Sequence, residues 1–175
     1  MKNKYQKDLF IGLSHRGNSK KFIENSFEAF NSIVHMGYKH IETDLRMTLD
    51  GEVIAFHDPD LKRLFNLDLQ VKDLTFNEIA NLFREKNCRL LTLEDAFKEF
   101  PNVNFNIDLK VKEVIQDSID IVSDLNAFDK VCFASFRTSH TEKVLQHNQS
   151  AIVSMGMKDV ALFKFFKLHN KKIKI

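Results

Sequence analysis

Short apolar runs along the chain alternate with stretches whose apolar residues recur every three to four positions. Leu9–His15, His40–Thr48, Glu52–His57, Val103–Lys110, Lys130–Phe136 and Ala151–Met155 read as six strands. Between them, Phe27, Phe30, Ile33 and Val34 predict a helix that Gly37 stops, with Asn25 and Glu28 spaced as its cap. Thr75 with Glu78 and Thr92 with Asp95 have capping-box spacing and open two further helices. Ile115, Ser118, Ile119, Val122 and Leu125 trace another, Ser139 with Glu142 begins the next, and a Lys- and Phe-rich helix follows from about Val160. Strands separated by helices predict an α/β fold of βαβ units around a parallel sheet. Asp50-Gly51 is also a tight-turn signal, so the second strand connection is either a crossover or a local hairpin.

Composition narrows this picture. With 43% hydrophobic and 29% charged residues over 175 positions, the chain has the make-up of a soluble globular protein, and its length suits a single domain over 1–175. Five Gly and two Pro exclude collagen-like and Pro/Gly-rich disordered chains. Lys and Arg number 26 against 24 Asp and Glu, a net charge of +2 that is too balanced for a nucleic-acid partner spread over the surface. From Lys158 onward there are six Lys and one Asp, which suits an outer helix with its lysines in water or contact with an anionic membrane surface. Cys88 and Cys132 form no CxxC pair and are too few for a disulfide framework, as expected of buried thiols in a reducing, cytoplasmic setting. The N-terminus has no leader-like apolar run, and no apolar stretch approaches the roughly 18 residues of a transmembrane span. The 17 Phe, with no Trp, read as core filling.

Two strands carry the candidate chemistry. One side of His40–Met47 presents His40, Glu42, Asp44 and Arg46, and one side of Val103–Lys110 presents Asn104, Asn106, Asp108 and Lys110; the opposite sides are apolar apart from Thr43. In an antiparallel protein such polar faces simply meet water. Parallel strands are covered on both faces, so in a βα architecture these charges belong at a barrel mouth, where strand C-terminal ends build active sites. Glu42, Asp44 and Asp108 then converge, and clustered carboxylates raise one another's pKa unless a cation neutralises them. An all-oxygen set favours Mg²⁺ or Ca²⁺ over Zn²⁺. Spacing alone leaves a metal site and a plain Asp108–Lys110 ion pair both open. His15 and His57 each end a predicted strand beside a charged residue, a placement that suits a structural role or general acid/base work on a phosphoester. Gly17 lets the backbone turn sharply while Arg16 offers its fork of donors to a phosphate.

In order along the chain stand His15-Arg16-Gly17, Glu24-Asn25-Ser26, Phe30, Gly37, Glu42-x-Asp44, Thr48-x-Asp50-Gly51, His57-Asp58 and Arg63. Asp73-Leu74-Thr75 with Glu78-Ile79, Thr92-Leu93-Glu94, Asn106-x-Asp108-x-Lys110 and Ser135-Phe136 follow. Together, from about residue 9 to 157, they resemble the glycerophosphodiester phosphodiesterase family. The resemblance implies a (β/α)8 TIM barrel with about six of its eight strands present. It implies metal-dependent hydrolysis of a small-molecule glycerophosphodiester to glycerol 3-phosphate and an alcohol. His15 and His57 would be the acid/base pair, Arg16 and Lys110 the phosphate contacts, and Glu42, Asp44 and Asp108 the ligands of Mg²⁺ or Ca²⁺. Which histidine is acid and which is base stays open, and a phospholipase or sphingomyelinase of the same barrel type is an alternative.

The chain departs from the family pattern at Asp108, where Glu is usual, and in lacking the later strand motifs, one of which contains Trp. A barrel shortened at its C-terminus is therefore expected, against about 250 residues for a typical one. Its unpaired edges would invite association. A catalytically inactive remnant, acting at most as a ligand-binding or interaction module, stands beside the enzyme as the second expectation.

Overall fold

Thr48 Oγ1 donates to Asp50 Oδ1 at 2.6 Å and accepts from the Glu52 amide at 2.9 Å, and Gly51 takes φ +86° between them. The turn decides the open connection: the next strand comes back antiparallel, so Asp50-Gly51 marks a hairpin and not a crossover. The computed structural model describes residues 11–165. Leu9 and Phe10 of the first predicted strand, and residues 166–175 of the last predicted helix, lie outside the described residues.

Strands β1 (Ser14–His15), β2 (His40–Met47), β3 (Val53–Ala55), β4 (Asn104–Leu109), β5 (Val131–Ala134) and β6 (Ile152–Val153) form one sheet. Its order is β1-β2-β4-β5-β6 with β3 attached to β2, and every pairing except β2–β3 is parallel. The helices are α1 (Phe27–His35), α2 (Lys62–Phe65), α3 (Phe76–Glu85), α4 (Leu93–Glu99), α5 (Val114–Asp124), α6 (Thr138–His147) and α7 (Met157–Phe165). Neighbouring helices α4 to α7 touch in chain order, as the outer layer of a βα barrel does. Among the described residues the sheet is not closed, and the architecture is that of a partial barrel. No helix there is long and apolar enough to cross a membrane.

The helix-facing sides of β2 and β4 explain the main core. Ile41, Leu45, Phe105, Ile107 and Leu109 are fully buried in one cluster with Phe30 of α1, Phe97 of α4 and Ile119 of α5. The Phe97 and Phe105 rings lie 5.2 Å apart at 69°, an edge-on packing that favours aromatic pairs. Residues between Ile54 and Leu90 build a second, smaller core around Ile54, Phe56, Leu61, Ile79 and Phe83, while Val53 and Ala55 pack in the main one. Cys88 and Cys132 are both buried, as their spacing suggested.

Two helix starts agree with the sequence. Thr75 and Glu78 close a full capping box, and the Asp95 amide donates to Thr92 Oγ1 at 3.0 Å. Two differ. Ser26, not Asn25, caps α1 by accepting from the Ala29 amide at 3.1 Å. Asn25 takes φ +59°, which turns its side chain away from the helix, and the extended Ser26 supplies the cap instead. Helix α6 begins at Thr138 without a side-chain cap, which puts Ser139 inside its first turn. Helix α7 also starts earlier than predicted, at Met157.

Phe105→Ala should lower the unfolding free energy by about 3–5 kcal/mol, as large-to-small changes in close-packed cores do. Urea titration followed by circular dichroism reads this directly. A midpoint unchanged from wild type would mean that Phe105 is not core.

Candidate active site

The parallel register sets His40 opposite Asn104, Glu42 opposite Asn106 and Asp44 opposite Asp108. With a two-residue period, this alignment makes the polar sides of β2 and β4 coincide along their whole shared length. Asn104 Nδ2 stands 3.0 Å from His40 Nε2, at the N-terminal end of that side. The acidic residues follow toward the C-terminal ends, where β1 also delivers His15 beside Glu42.

Asp44 is 1% exposed and so needs counter-charge at close range. Arg16 Nε lies 3.0 Å from its Oδ2 and Lys110 Nζ 2.8 Å from its Oδ1, both as ion pairs, and Asn25 Nδ2 donates to Oδ2 at 3.2 Å. Lys110 Nζ also donates to Asp108 Oδ2 at 2.5 Å, so its ammonium bridges two carboxylates. Burial works to lower the Lys110 pKa, but the bonds to Asp108 and Asp44 outweigh it and hold the pKa above the usual lysine value. The Asp108–Lys110 ion pair left open by spacing is therefore present, and it extends to Asp44.

A strained loop presents Arg16. Its φ is +58°, in the left-handed region that costs a residue with a side chain on the order of 1 kcal/mol or more. Its amide donates to the Glu42 carbonyl at 2.9 Å and its carbonyl accepts from the Asn25 amide at 3.0 Å. Gly17 follows at φ +75°, where an added Cβ would stand 2.7 Å from the Ala29 carbonyl carbon, so both conformation and space require glycine. Thr43 Oγ1 donates to Asn25 Oδ1 at 2.9 Å, which orients the Asn25 amide toward Asp44.

The hairpin, in turn, delivers His57. The Phe56 amide donates to the Asp44 carbonyl at 2.9 Å, so the chain after β3 returns to the level of Asp44. His57 Nδ1 lies 2.6 Å from Asp58 Oδ1, and Arg46 Nε donates to the His57 carbonyl at 2.8 Å. His15 is more open, with 69% of its side chain exposed and Nε2 3.7 Å from Glu42 Oε2.

Glu42, Asn106 and Asp108 line a cavity of about 610 Å³ whose other walls include Ser135, Phe136, Met155 and Val160. Burial, and then the nearby Asp44 charge, push the Glu42 carboxyl up to about 7 against the pull of Arg16 and Lys110. Ser135 Oγ donates to the Leu109 carbonyl at 3.1 Å, with His140 Nδ1 3.0 Å from the same oxygen, so the ends of β4 and β5 are tied beside this cavity.

The donor set fits a hard cation. Glu42 Oε2, Asn106 Oδ1 and Asp108 Oδ1 are buried oxygens without hydrogen-bond partners, and all three residues face the cavity. Among the described residues no three His, Cys, Asp or Glu side chains are gathered into a ready-made metal cage. Asp44 is not among the residues lining the cavity; it is ion-paired to Arg16 and Lys110 and accepts a hydrogen bond from Asn25. Sequence reasoning singled out Glu42, Asp44, Asp108, Arg16, Lys110 and the two histidines. It gave no role to Asn106, Glu24, Asp58, Arg63 or the methionine wall, although the first four stand within the quoted motifs.

Comparison with known proteins adds independent findings. Residues 15–175 match the model of the Glycerophosphoryl diester phosphodiesterase family. The chain is similar to the glycerophosphodiester phosphodiesterase of Caldanaerobacter subterraneus subsp. tengcongensis, 30% identical over 138 residues, covering 71% of this chain and 57% of the relative. It is similar to a lysophospholipase D of Homo sapiens, 26% identical over 174 residues, covering 91% of this chain and 55% of the relative. The chain thus spans about half the length of these curated relatives. Its fold is similar to the crystal structure of a glycerophosphodiester phosphodiesterase from Thermotoga maritima, with TM-score 0.73 and 27% identity over 91% of this chain and 68% of that one.

Glu42 gives the site a pH signature. Folded, the group keeps its proton up to about pH 7, against a usual carboxyl value of 4.5. Its stability contribution is fully present below pH 4.5 and is lost as pH rises through about 7. The loss is on the order of 3 kcal/mol. In chelator, the thermal midpoint of the wild-type chain should fall across that window, and Glu42→Gln should flatten the fall. Parallel slopes for the two proteins would remove Glu42 as its source.

Proposed function

The chain belongs to the glycerophosphoryl diester phosphodiesterase family, and on that basis we propose that it hydrolyses glycerophosphodiesters to glycerol 3-phosphate and an alcohol at the β2–β4 rim. The observation that carries this reading is the row Arg16–Asp44–Lys110–Asp108 beside an open cavity, in which two cations are held by acidic partners where an anionic diester would enter. Arg16 and Lys110 orient the phosphate and offset charge on its oxygens. Glu42 and Asp108 would hold Mg²⁺ or Ca²⁺ with the unpaired Asn106 oxygen beside them, and Asp44 would join them by giving up its Lys110 contact. When bound, such a cation polarises a phosphoryl oxygen and neutralises charge developing there.

The histidines move the protons. One takes the proton from an attacking glycerol hydroxyl as the oxygen–phosphorus bond forms, and the other gives a proton to the departing alcohol oxygen. Water then opens the cyclic phosphodiester, leaving glycerol 3-phosphate. His57 has Nδ1 engaged by Asp58, which leaves Nε2 to exchange a proton with substrate. The two Cys without a disulfide framework support a cytoplasmic setting for this reaction.

A second reading is favoured by the cavity wall. Phe136 is 68% exposed and Met157 66% exposed, and both line the space that Glu42 and Asp108 face. An apolar wall next to a phosphate site suits a lysophospholipid, a diester of the same chemistry with one acyl chain, and the human relative is named for that activity.

Choline release by the purified chain from glycerophosphocholine and from lysophosphatidylcholine, with Mg²⁺ or Ca²⁺, tests both readings. His15→Ala and His57→Ala should each cut release by about 100-fold or more. Release no greater than in these variants would overturn catalysis by this chain, and a preference for the acylated substrate would select the second reading.

A further inference from the structure

Arg63 belongs to α2, four residues of which none is fully buried, yet it reaches a partner 39 positions away. Its Nη1 donates to Glu24 Oε2 at 2.9 Å and its Nη2 to Glu24 Oε1 at 2.5 Å, while its Nε donates to Asp58 Oδ2 at 2.6 Å. Both partners continue into the site. Asp58 Oδ1 lies 2.6 Å from His57 Nδ1, and Glu24 Oε1 also accepts from Arg16 Nη1 at 3.0 Å. Arg16 in turn stands on Asp44.

We propose that Arg63 is a positioning residue for the two sides of the site: its fork holds Asp58 against His57 and Glu24 against Arg16, fixing the imidazole as the Nδ1–H tautomer. A carboxylate beside Nδ1 accepts its proton-bearing side and leaves Nε2 as the acceptor. Asp58 performs this only while its second oxygen is pinned, because a carboxylate next in sequence to the histidine is otherwise free to rotate away into water. A planar guanidinium grips two carboxylates at once through separate edges, and a lysine ammonium is a point charge without that geometry. Burial alone would raise the pKa of both partners, but the bonds from Arg63, with His57 at Asp58 and Arg16 at Glu24, hold them below the ordinary range, so both stay acceptors. What the aligned Nε2 is for rests on the phosphodiesterase reading; the tautomer itself does not.

Long-range proton–nitrogen NMR on the ¹⁵N-labelled chain, at a pH where the imidazole is neutral, reads the tautomer, and His57→Gln identifies the His57 signals. Wild type should show His57 predominantly protonated at Nδ1. Arg63→Met and Arg63→Lys should each lower the ratio of Nδ1–H to Nε2–H several-fold, with circular dichroism unchanged. The Arg63 side chain is 48% exposed, so little packing is lost, and should the Met variant fail to fold, the Lys variant decides. A wild-type ratio in folded Arg63→Met would overturn the proposal. A loss in Arg63→Met with full retention in Arg63→Lys would overturn it too, since charge without the fork would then suffice. The readout needs no turnover, so failure to cleave glycerophosphocholine would count against the enzymatic reading and not against this one.

Discussion

The buried charge of Asp44 constrains the whole C-terminal end of the sheet. A carboxylate so withdrawn from water is tolerated only with cations and donors in contact. They come from three separate places: Arg16 after β1, Asn25 before α1, and Lys110 after β4. Meeting that requirement forces the loop between β1 and α1 into left-handed backbone at Arg16, Gly17 and Asn25, and it makes glycine indispensable at position 17. The same contacts hold the groups proposed for phosphate binding. On that proposal, one set of side chains would serve both charge compensation and substrate recognition.

A second dependence runs through the hairpin. Because β3 turns back along β2, the chain returns His57 to the level of Asp44, and residues from Phe56 to Leu90, with Ile54, bury a core of their own beneath that excursion. His57, Asp58 and Arg63 thus stand on a segment supported separately from the main barrel core. Glu24 links the two supports, since it meets Arg63 on one side and Arg16 on the other. The ends of β4 and β5, joined through Ser135 and His140, complete the wall of the cavity.

Much of this was legible residue by residue. The alternation in His40–Met47 and in Val103–Lys110 identified the polar sides, and the requirement that parallel strands be covered on both faces turned them inward. Capping spacing located α3 and α4. The same spacing misassigned Asn25, because Asn-x-x-Glu looks alike whether the Asn caps a helix or adopts left-handed backbone and reaches a strand 18 residues away. Ser139 and Glu142 imitate a cap from inside α6 for a similar reason. Arg63 and Glu24 stood in recognisable motifs, but their pairing spans 39 positions and leaves no local period. Phe136, Met155 and Met157 read as ordinary apolar residues, and only their exposure beside acidic groups gives them meaning.

What the sequence determined by itself was the alternation of strands and helices, the side of each strand that is polar, and the chemical types present: carboxylates, imidazoles and cationic donors. These follow from local periods and from the steric preferences of neighbouring residues, which a linear string records completely. Tertiary structure alone decided that β2 and β4 align Asp44 with Asp108, that Lys110 bridges them, and that the strand after Asp50-Gly51 folds back. It also decided that Glu42 holds its proton to about pH 7, while Lys110 beside it is driven the other way, deeper into its charged form. Pairing register and burial depend on distances between residues remote in sequence, and a buried charge takes its energy from those distances.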